Sequence, residues 1–461
     1  MLITKKAFSS LIQYTARWDW LVLILLTPFL LFPTPARTPA LLVIPLLWLV
    51  VWIADGEPLV STPLNGTLLL LSIMVLVSTW ATYDIAFSLP KISGMVLGFG
   101  VFFALARAAQ RPKGWMLSLI VFLGLGLGVA VLGLVGTHWF ATKLSFLNPI
   151  TERVPNLISG LQGAESGFHP NEIAGALTWV LPVLMVLSLS PSLRVGSGGW
   201  GVMVLLWLTT LFVATVFVLT QSRGGYIGLA LTGVILLCIA LPPRFRWALL
   251  GLIVIAGLIL GVVLSKDELV NTRDWIIGSG LTTENALSLN TLEGRVEIWS
   301  RAIYGLQDFP FTGMGMNTFR EVVHVLYPLF LVAPDVDLGH AHNEFLQVGL
   351  DLGIPGLIAF IALYLGALLM LFRLWRALPP NPQSLTPNSP TTTRHWQPTT
   401  GNLQRAAVLG LGGGLLAHLI YGLTDAVAMG AKPGVLFWML LGLVAGLHRQ
   451  ICSCEREQDL A

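Results

Sequence analysis

His340-Ala341-His342-Asn343-Glu344-Phe345 runs through Gly353-Ile354-Pro355-Gly356 into an apolar stretch that reaches Arg373. Two imidazoles, an amide and a carboxylate therefore stand where a long polar interval meets a segment able to cross a bilayer. Ionisable side chains are costly in lipid, so a titratable cluster at such a boundary is a candidate site. Outward from this junction the chain reads as all-α and polytopic. Of its 461 residues, 55% are hydrophobic and 11% charged, against about 25% charged in soluble domains. Mean hydropathy is +0.79. The formal net charge of +3 decides nothing, and three cysteines (Cys238, Cys452, Cys454) are too few for a disulfide framework. No small-residue cleavage site follows the first apolar run, which reads as a retained helix and not a signal peptide.

Apolar windows mark about twelve membrane helices, near 18–32, 40–54, 67–83, 92–109, 115–136, 172–189, 199–220, 225–241, 247–265, 344–373, 406–423 and 434–448. The second is short and interrupted by Pro45. With the N-terminus inside, short cytoplasmic segments collect Lys5, Lys6, Arg17, Arg107, Arg111, Lys113, Arg244, Arg246, Arg376 and Arg405, while short outer turns hold only Arg37, Lys91, Arg223 and Lys432. That bias predicts both termini cytoplasmic and an even number of spans. Four regions follow: N-terminal spans over 1–198, a core over 199–375 with a large outer loop at 266–343, a cytoplasmic linker at 376–405, and C-terminal spans and tail over 406–461. The Pro-, Thr- and Ser-rich stretch 378–402 reads as disordered.

Within the large loop, Val296, Trp299, Ala302, Ile303 and Leu306 recur at helical spacing. They predict an amphipathic helix over 294–306, lying at the outer membrane surface or against the bundle. Glu297 and Arg301 are four apart and can pair. A second short helix is expected from Phe319. Arg223 closes one span and precedes Gly224-Gly225 and the next. Glycines admit close backbone approach, and a helix N-terminus favours anions, so Arg223 suits a phosphate; the alternative is an arginine snorkelling to lipid headgroups. His342 and His340 can accept a proton from a hydroxyl nucleophile, or merely precede a helix capped by Asn343. Asp335 and Asp337 with the two histidines offer a metal-ligand pattern of a kind that short polar loops readily produce, which leaves a metal as a minor alternative. Lys91 is a further cation on the same face. Asp425 and Lys432, at the last outer turn, read as anchors or caps.

His342-Asn343, nine residues, Gly353, two residues and Gly356 resemble the signature of the O-antigen ligase and polymerase superfamily. Ser222-Arg223-Gly224 is similar to its arginine at a span end, and Gly294-Arg295 followed by Trp299 to the arginine-bearing segment of its large periplasmic loop. The resemblance covers Leu211 to Gly356. It implies a GT-C-like helical glycosyltransferase of the bacterial inner membrane with a periplasmic active site. Its donor would be a glycan on undecaprenyl pyrophosphate, its acceptor a glycolipid or glycan hydroxyl, its surroundings membrane lipids, with no metal, cofactor or nucleic acid. Carried over, His342 would be catalytic. Arg223 and Arg295 would engage the pyrophosphate, with Arg301, Lys91, His340 and Asn343 as further substrate-binding candidates. Tyr421-Gly422-Leu423-Thr424-Asp425 and Lys432-Pro433-Gly434 are similar to a cyanobacterial group described as inorganic-carbon transporters. A transporter of bicarbonate or another small anion is therefore the alternative.

Overall fold

The computed structural model describes residues 2–31, 37–111, 113–137, 147–154, 167–190, 199–242, 244–248, 292–332, 337–378, 398–427 and 432–458, with a few isolated positions between them. Fourteen helices matter here: α1 (Leu2–Arg17), α2 (Asp19–Leu31), α3 (Val43–Asp55), α4 (Asn65–Ala81), α5 (Ile85–Ala109), α6 (Gly114–Gly136), α7 (Pro170–Leu189), α8 (Gly199–Leu219), α9 (Arg223–Ala240), α10 (Leu292–Asp308), α11 (Phe319–Leu326), α12 (Glu344–Ala377), α13 (Pro398–Tyr421) and α14 (Val435–Gln458). Among the described residues, nine helices are long and apolar enough to cross a membrane. The protein is an all-α polytopic bundle.

Several helix boundaries differ from expectation for identifiable reasons. Pro45 does not break the second span. A 3-10 turn over Thr38–Leu42 leads into α3, leaving Pro45 in its first turn, where no intrahelical N–H is lost. Asp84 caps α5 by accepting from Ala86 N and Phe87 N, so that helix starts at Ile85 and Lys91 lies within it, not at its outer start. At the linker, α13 begins at Pro398, so the disordered reading fails for 398–402, which is helical. The expected span at 247–265, loop residues 266–291 and linker residues 379–397 lie wholly or largely outside the described residues.

In lipid, helices associate through close packing and not through water release, which favours small residues at their contacts. Helices α5, α7 and α14 are the most enclosed. Gly442 and Gly446 let α14 approach the α5 backbone, where a Cβ would stand 2.7 Å from Phe102 O and 2.6 Å from Ala106 O. At one end of the bundle the first residues of α5, α7, α9, α12 and α14 meet the last residues of α8 and α13. At the other end Arg107 pairs with Asp19, Arg405 bonds Leu378 O, and Arg449 donates to Ser61 O at 3.1 Å.

The first end carries a second, smaller core: Ile298, Ala302, Met314, Phe319, Val323, Leu338, Ala341 and Leu350. It packs α10 and α11 against the start of α12. The expected apolar face of α10 is rotated: Ile298 and Ala302 are buried, whereas Val296 and Ile303 are half exposed. Burial against α12, more than membrane contact, selects that face. α12 itself is broken at Gly353 (φ +69°, ψ 179°). The groups freed there are taken by the loop after α10, with Met314 N donating to Leu350 O and Ile354 N to Pro310 O, both at 2.7 Å. A Cβ at Gly353 would stand 2.6 Å from Phe311 O.

Candidate functional site

The sequence around Arg223 builds a tight entrance to α9. Gln221 takes a left-handed conformation (φ +51°), and Ser222 caps the helix by accepting from Gly225 N at 3.4 Å. Arg223 is then the first helical residue. Gly224 must lack a side chain, because a Cβ would collide with Thr424 Oγ1. From the opposite wall, Arg295 Nη1 donates to Thr424 O at 2.9 Å. Arg223 and Arg295 line one small polar cleft with Asn171, Ser222, Gly224, Thr424 and Asp425.

The turn after α13 is clamped over the start of α12. Asn343 caps α12 by accepting from Phe345 N and Leu346 N at 3.0 Å, and its amide donates to Leu423 O at 3.0 Å. Glu344 N donates to Gly422 O at 2.7 Å. The buried Glu344 carboxylate accepts from Val427 N at 2.5 Å and Met429 N at 3.1 Å. This clamp brings Asp425 to the histidines.

The two histidines differ in what they have left to offer. His340 Nε2 lies 3.1 Å from Asp425 Oδ1, and His340 Nδ1 accepts from His342 N at 3.1 Å. Accepting at Nδ1 leaves the proton on Nε2, so the neutral ring has both nitrogens engaged. His342 is 8% exposed, and neither of its ring nitrogens meets a hydrogen-bond partner. Its Nδ1 is 3.7 Å from Asp425 Oδ1, beyond a good hydrogen bond. The His342 backbone is left-handed (φ +48°), a conformation costing about 1–3 kcal/mol outside glycine, and Trp299 Nε1 donates to its carbonyl at 3.3 Å. Strain and an unsatisfied buried ring coincide on one residue.

Burial holds His340 well below its ordinary pKa, down to about 3, assisted by His342, Lys91 and His169 and opposed by Asp425. Burial alone would raise Asp425, but His340, His342 and Arg295 outweigh it and keep the carboxyl below the usual carboxylate range. Near neutral pH the site thus holds an ionised Asp425 beside a neutral His340.

His340, His342 and Asp425 offer ligand atoms within 4.8 Å of one another, a donor set that a zinc-class ion accepts. The set suggested by the sequence is not assembled. Asp337 is bound by Arg320, with Nε 2.5 Å from Oδ1, and Asp335 lies outside the described residues. Lys91 pairs with Asp351 on α12, whose other oxygen accepts from Asn317 N at 3.0 Å and Gln347 Nε2 at 2.9 Å. Arg301 sits 3.5 Å from Glu297 and donates to Pro328 O at 2.8 Å. Glu297 in turn accepts from Phe330 N and Leu331 N. Arg223, Arg295, Asp425 and the histidines are therefore gathered together, while Lys91 and Arg301 are engaged elsewhere on the same end.

Residues 208–361 match a family model described as O-antigen ligase. That segment, about a third of the chain, supports membership in the O-antigen ligase and polymerase superfamily. The matched segment holds Arg223, Arg295 and both histidines, but Asp425 lies beyond it. No match is found among curated proteins. Sequence reasoning counted Glu344 only as the carboxylate of the boundary cluster, weighed Asp425 as an anchor or cap, and met Thr424 and Asp425 together only in the run similar to the carbon-transporter group. The one available signal was a carboxylate just past a span end, in Tyr421-Gly422-Leu423-Thr424-Asp425.

Proposed function

We propose that this chain is a glycosyltransferase that moves a glycan from undecaprenyl pyrophosphate to the hydroxyl of a glycolipid or glycan acceptor. It acts without a metal at the periplasmic face of the bacterial inner membrane. In this reading the chain crosses the membrane twelve times with both termini cytoplasmic. The collection of Arg107, Arg111, Arg405 and Arg449 at the end away from the histidines supports that orientation.

The observation that carries the reading is the convergence of Arg223 and Arg295 on the cleft that contains Asp425, with His342 unsatisfied beside it. The acceptor oxygen attacks the anomeric carbon, and the glycosyl C–O bond breaks. The electron pair leaves on the pyrophosphate, and the acceptor proton passes to His342. Planar guanidinium forks match phosphate oxygens and stabilise the growing charge. Asp425 stabilises the imidazolium that forms and His340 fixes Asp425. Asn343 holds the turn, while Lys91 and Arg301 brace the walls.

The test is transfer by purified protein from an undecaprenyl-pyrophosphate glycan to an acceptor glycolipid. His342→Ala and Arg223→Ala should abolish most turnover. Arg223→Lys should also lose it substantially, because an ammonium cannot reproduce the fork. Saturable bicarbonate flux into proteoliposomes without any glycan transfer would overturn the assignment.

A further inference from the structure

At the end of the bundle opposite the histidines, the α1–α2 junction and the α5–α6 turn enclose a cavity of about 410 Å³. Its mouth carries Arg17, Arg111 and Lys113, and its walls include Trp18, Trp20 and Leu117. Among the described residues, no carboxylate lies within ion-pair distance of any of these three cations: Asp19, the nearest in sequence to Arg17, is buried and bound by Arg107. Arg111 Nη1 donates to the backbone carbonyl of Arg17 at 3.4 Å, and burial followed by the positive charge of Arg17 lowers the Arg111 pKa, against a smaller opposing pull from Asp55. Like charges placed together call for an anion between them. The Trp18 and Trp20 rings stand 5.6 Å apart, and paired indoles favour the headgroup level of a bilayer.

The cavity does not end at the mouth. A second one, of about 260 Å³, shares Trp20 and Leu105 with it and continues past Leu23 to Val101 and Met439. Val101 is eight residues before the end of α5, a depth of about 12 Å along the helix. The lining of this continuation is almost wholly apolar. A cationic mouth, an aromatic collar and an apolar slot in series match the parts of one amphiphile: an anionic headgroup, its glycerol region and an acyl chain. Basic pockets between membrane helices are where anionic lipid headgroups bind.

We propose that this groove is a binding site for one anionic phospholipid, its phosphodiester held by Arg17, Arg111 and Lys113 and an acyl chain laid along α2 and α5 beneath Trp20. The site is independent of the glycan-transfer reading. A bound lipid would add to the direct packing of α2 on α5, already joined there by Asp19 and Arg107, and link both to α6.

Native mass spectrometry of the delipidated full-length protein, titrated with dioleoyl phosphatidylglycerol or dioleoyl phosphatidylcholine, tests this directly. One phosphatidylglycerol should bind with at least roughly tenfold preference over phosphatidylcholine, as several basic side chains at a membrane surface supply. Lys113→Gln, at an exposed turn, should weaken phosphatidylglycerol about fivefold, and Arg17→Gln/Arg111→Gln/Lys113→Gln should erase the preference. Leu117→Trp keeps every charge and fills the groove, so it should lose both lipids while eluting as a monodisperse protein. Equal binding of the two lipids by the unmodified protein would overturn the proposal. So would full phosphatidylglycerol binding by Lys113→Gln and Leu117→Trp, or displacement of the lipid by inorganic phosphate alone.

Discussion

Replacing Asp425 by Asn removes one charge and leaves the side chain's shape. The amide oxygen can still accept from Ala426 N, 3.0 Å away, and from His340 Nε2, 3.1 Å away, so the turn over α12 should persist. Two losses follow. A charge-assisted hydrogen bond becomes a neutral one, costing about 1–2 kcal/mol. The carboxylate also no longer faces His342 Nδ1 at 3.7 Å. If His342 carries the acceptor proton in the transition state, that interaction is worth about 4 kcal/mol at an effective dielectric of ~20. Turnover should therefore fall between roughly tenfold, if only positioning is lost, and roughly ten-thousandfold, if imidazolium stabilisation is lost as well. The KM for the lipid-linked donor should hardly move, since Arg223 and Arg295 stay in place. The assay is steady-state glycan transfer in detergent, with Asp337→Asn as the control, because Asp337 is exposed and bound to Arg320. A fall of less than about threefold, or an equal fall in the control, would refute the argument that Asp425 acts through the imidazole.

Two further outcomes are expected. Gly353→Ala forces a Cβ onto φ +69° and against Phe311 O. Backbone strain of about 1–3 kcal/mol and two weakened backbone bonds of about 1 kcal/mol each should loosen residues 309–320. Hydrogen exchange should accelerate there and not in α14; unchanged exchange would contradict the interlock. Acid should weaken the histidine end. His340 is depressed to about 3 when folded and titrates near 6.5 when unfolded. The unfolded state therefore binds more protons between those values, and stability is lost as pH falls through that window. Asp425 adds to the loss as pH falls below its unfolded pKa of about 3.9, because its folded pKa is depressed. Thermal melts of His340→Gln should lose less on acidification than those of the unmodified protein.

Hydropathy and helical period were enough to place an all-α membrane bundle, and the resemblance carried by Ser222-Arg223-Gly224, Gly294-Arg295 with Trp299 and His342-Asn343 with Gly353 and Gly356 nominated Arg223, Arg295 and His342. Each of those signals is local: a run of apolar residues, a cap, or a glycine at a kink. Chemistry alone left two histidines beside a helix cap. Tertiary structure separates them, because only the folded chain shows that His340 has spent both nitrogens, on Asp425 and on His342 N, while His342 has spent neither. The partner that matters, Asp425, lies 83 residues beyond His342 and reaches it through the Glu344 clamp on Val427 and Met429. The rotation of α10 was undecidable for the same reason: its apolar residues form two overlapping faces, and burial against α12 chooses between them. Sequence determined which residues lie at a membrane boundary, since the cost of desolvating charge is paid position by position. Which of them face one another depends on long-range packing, and no local pattern encodes it.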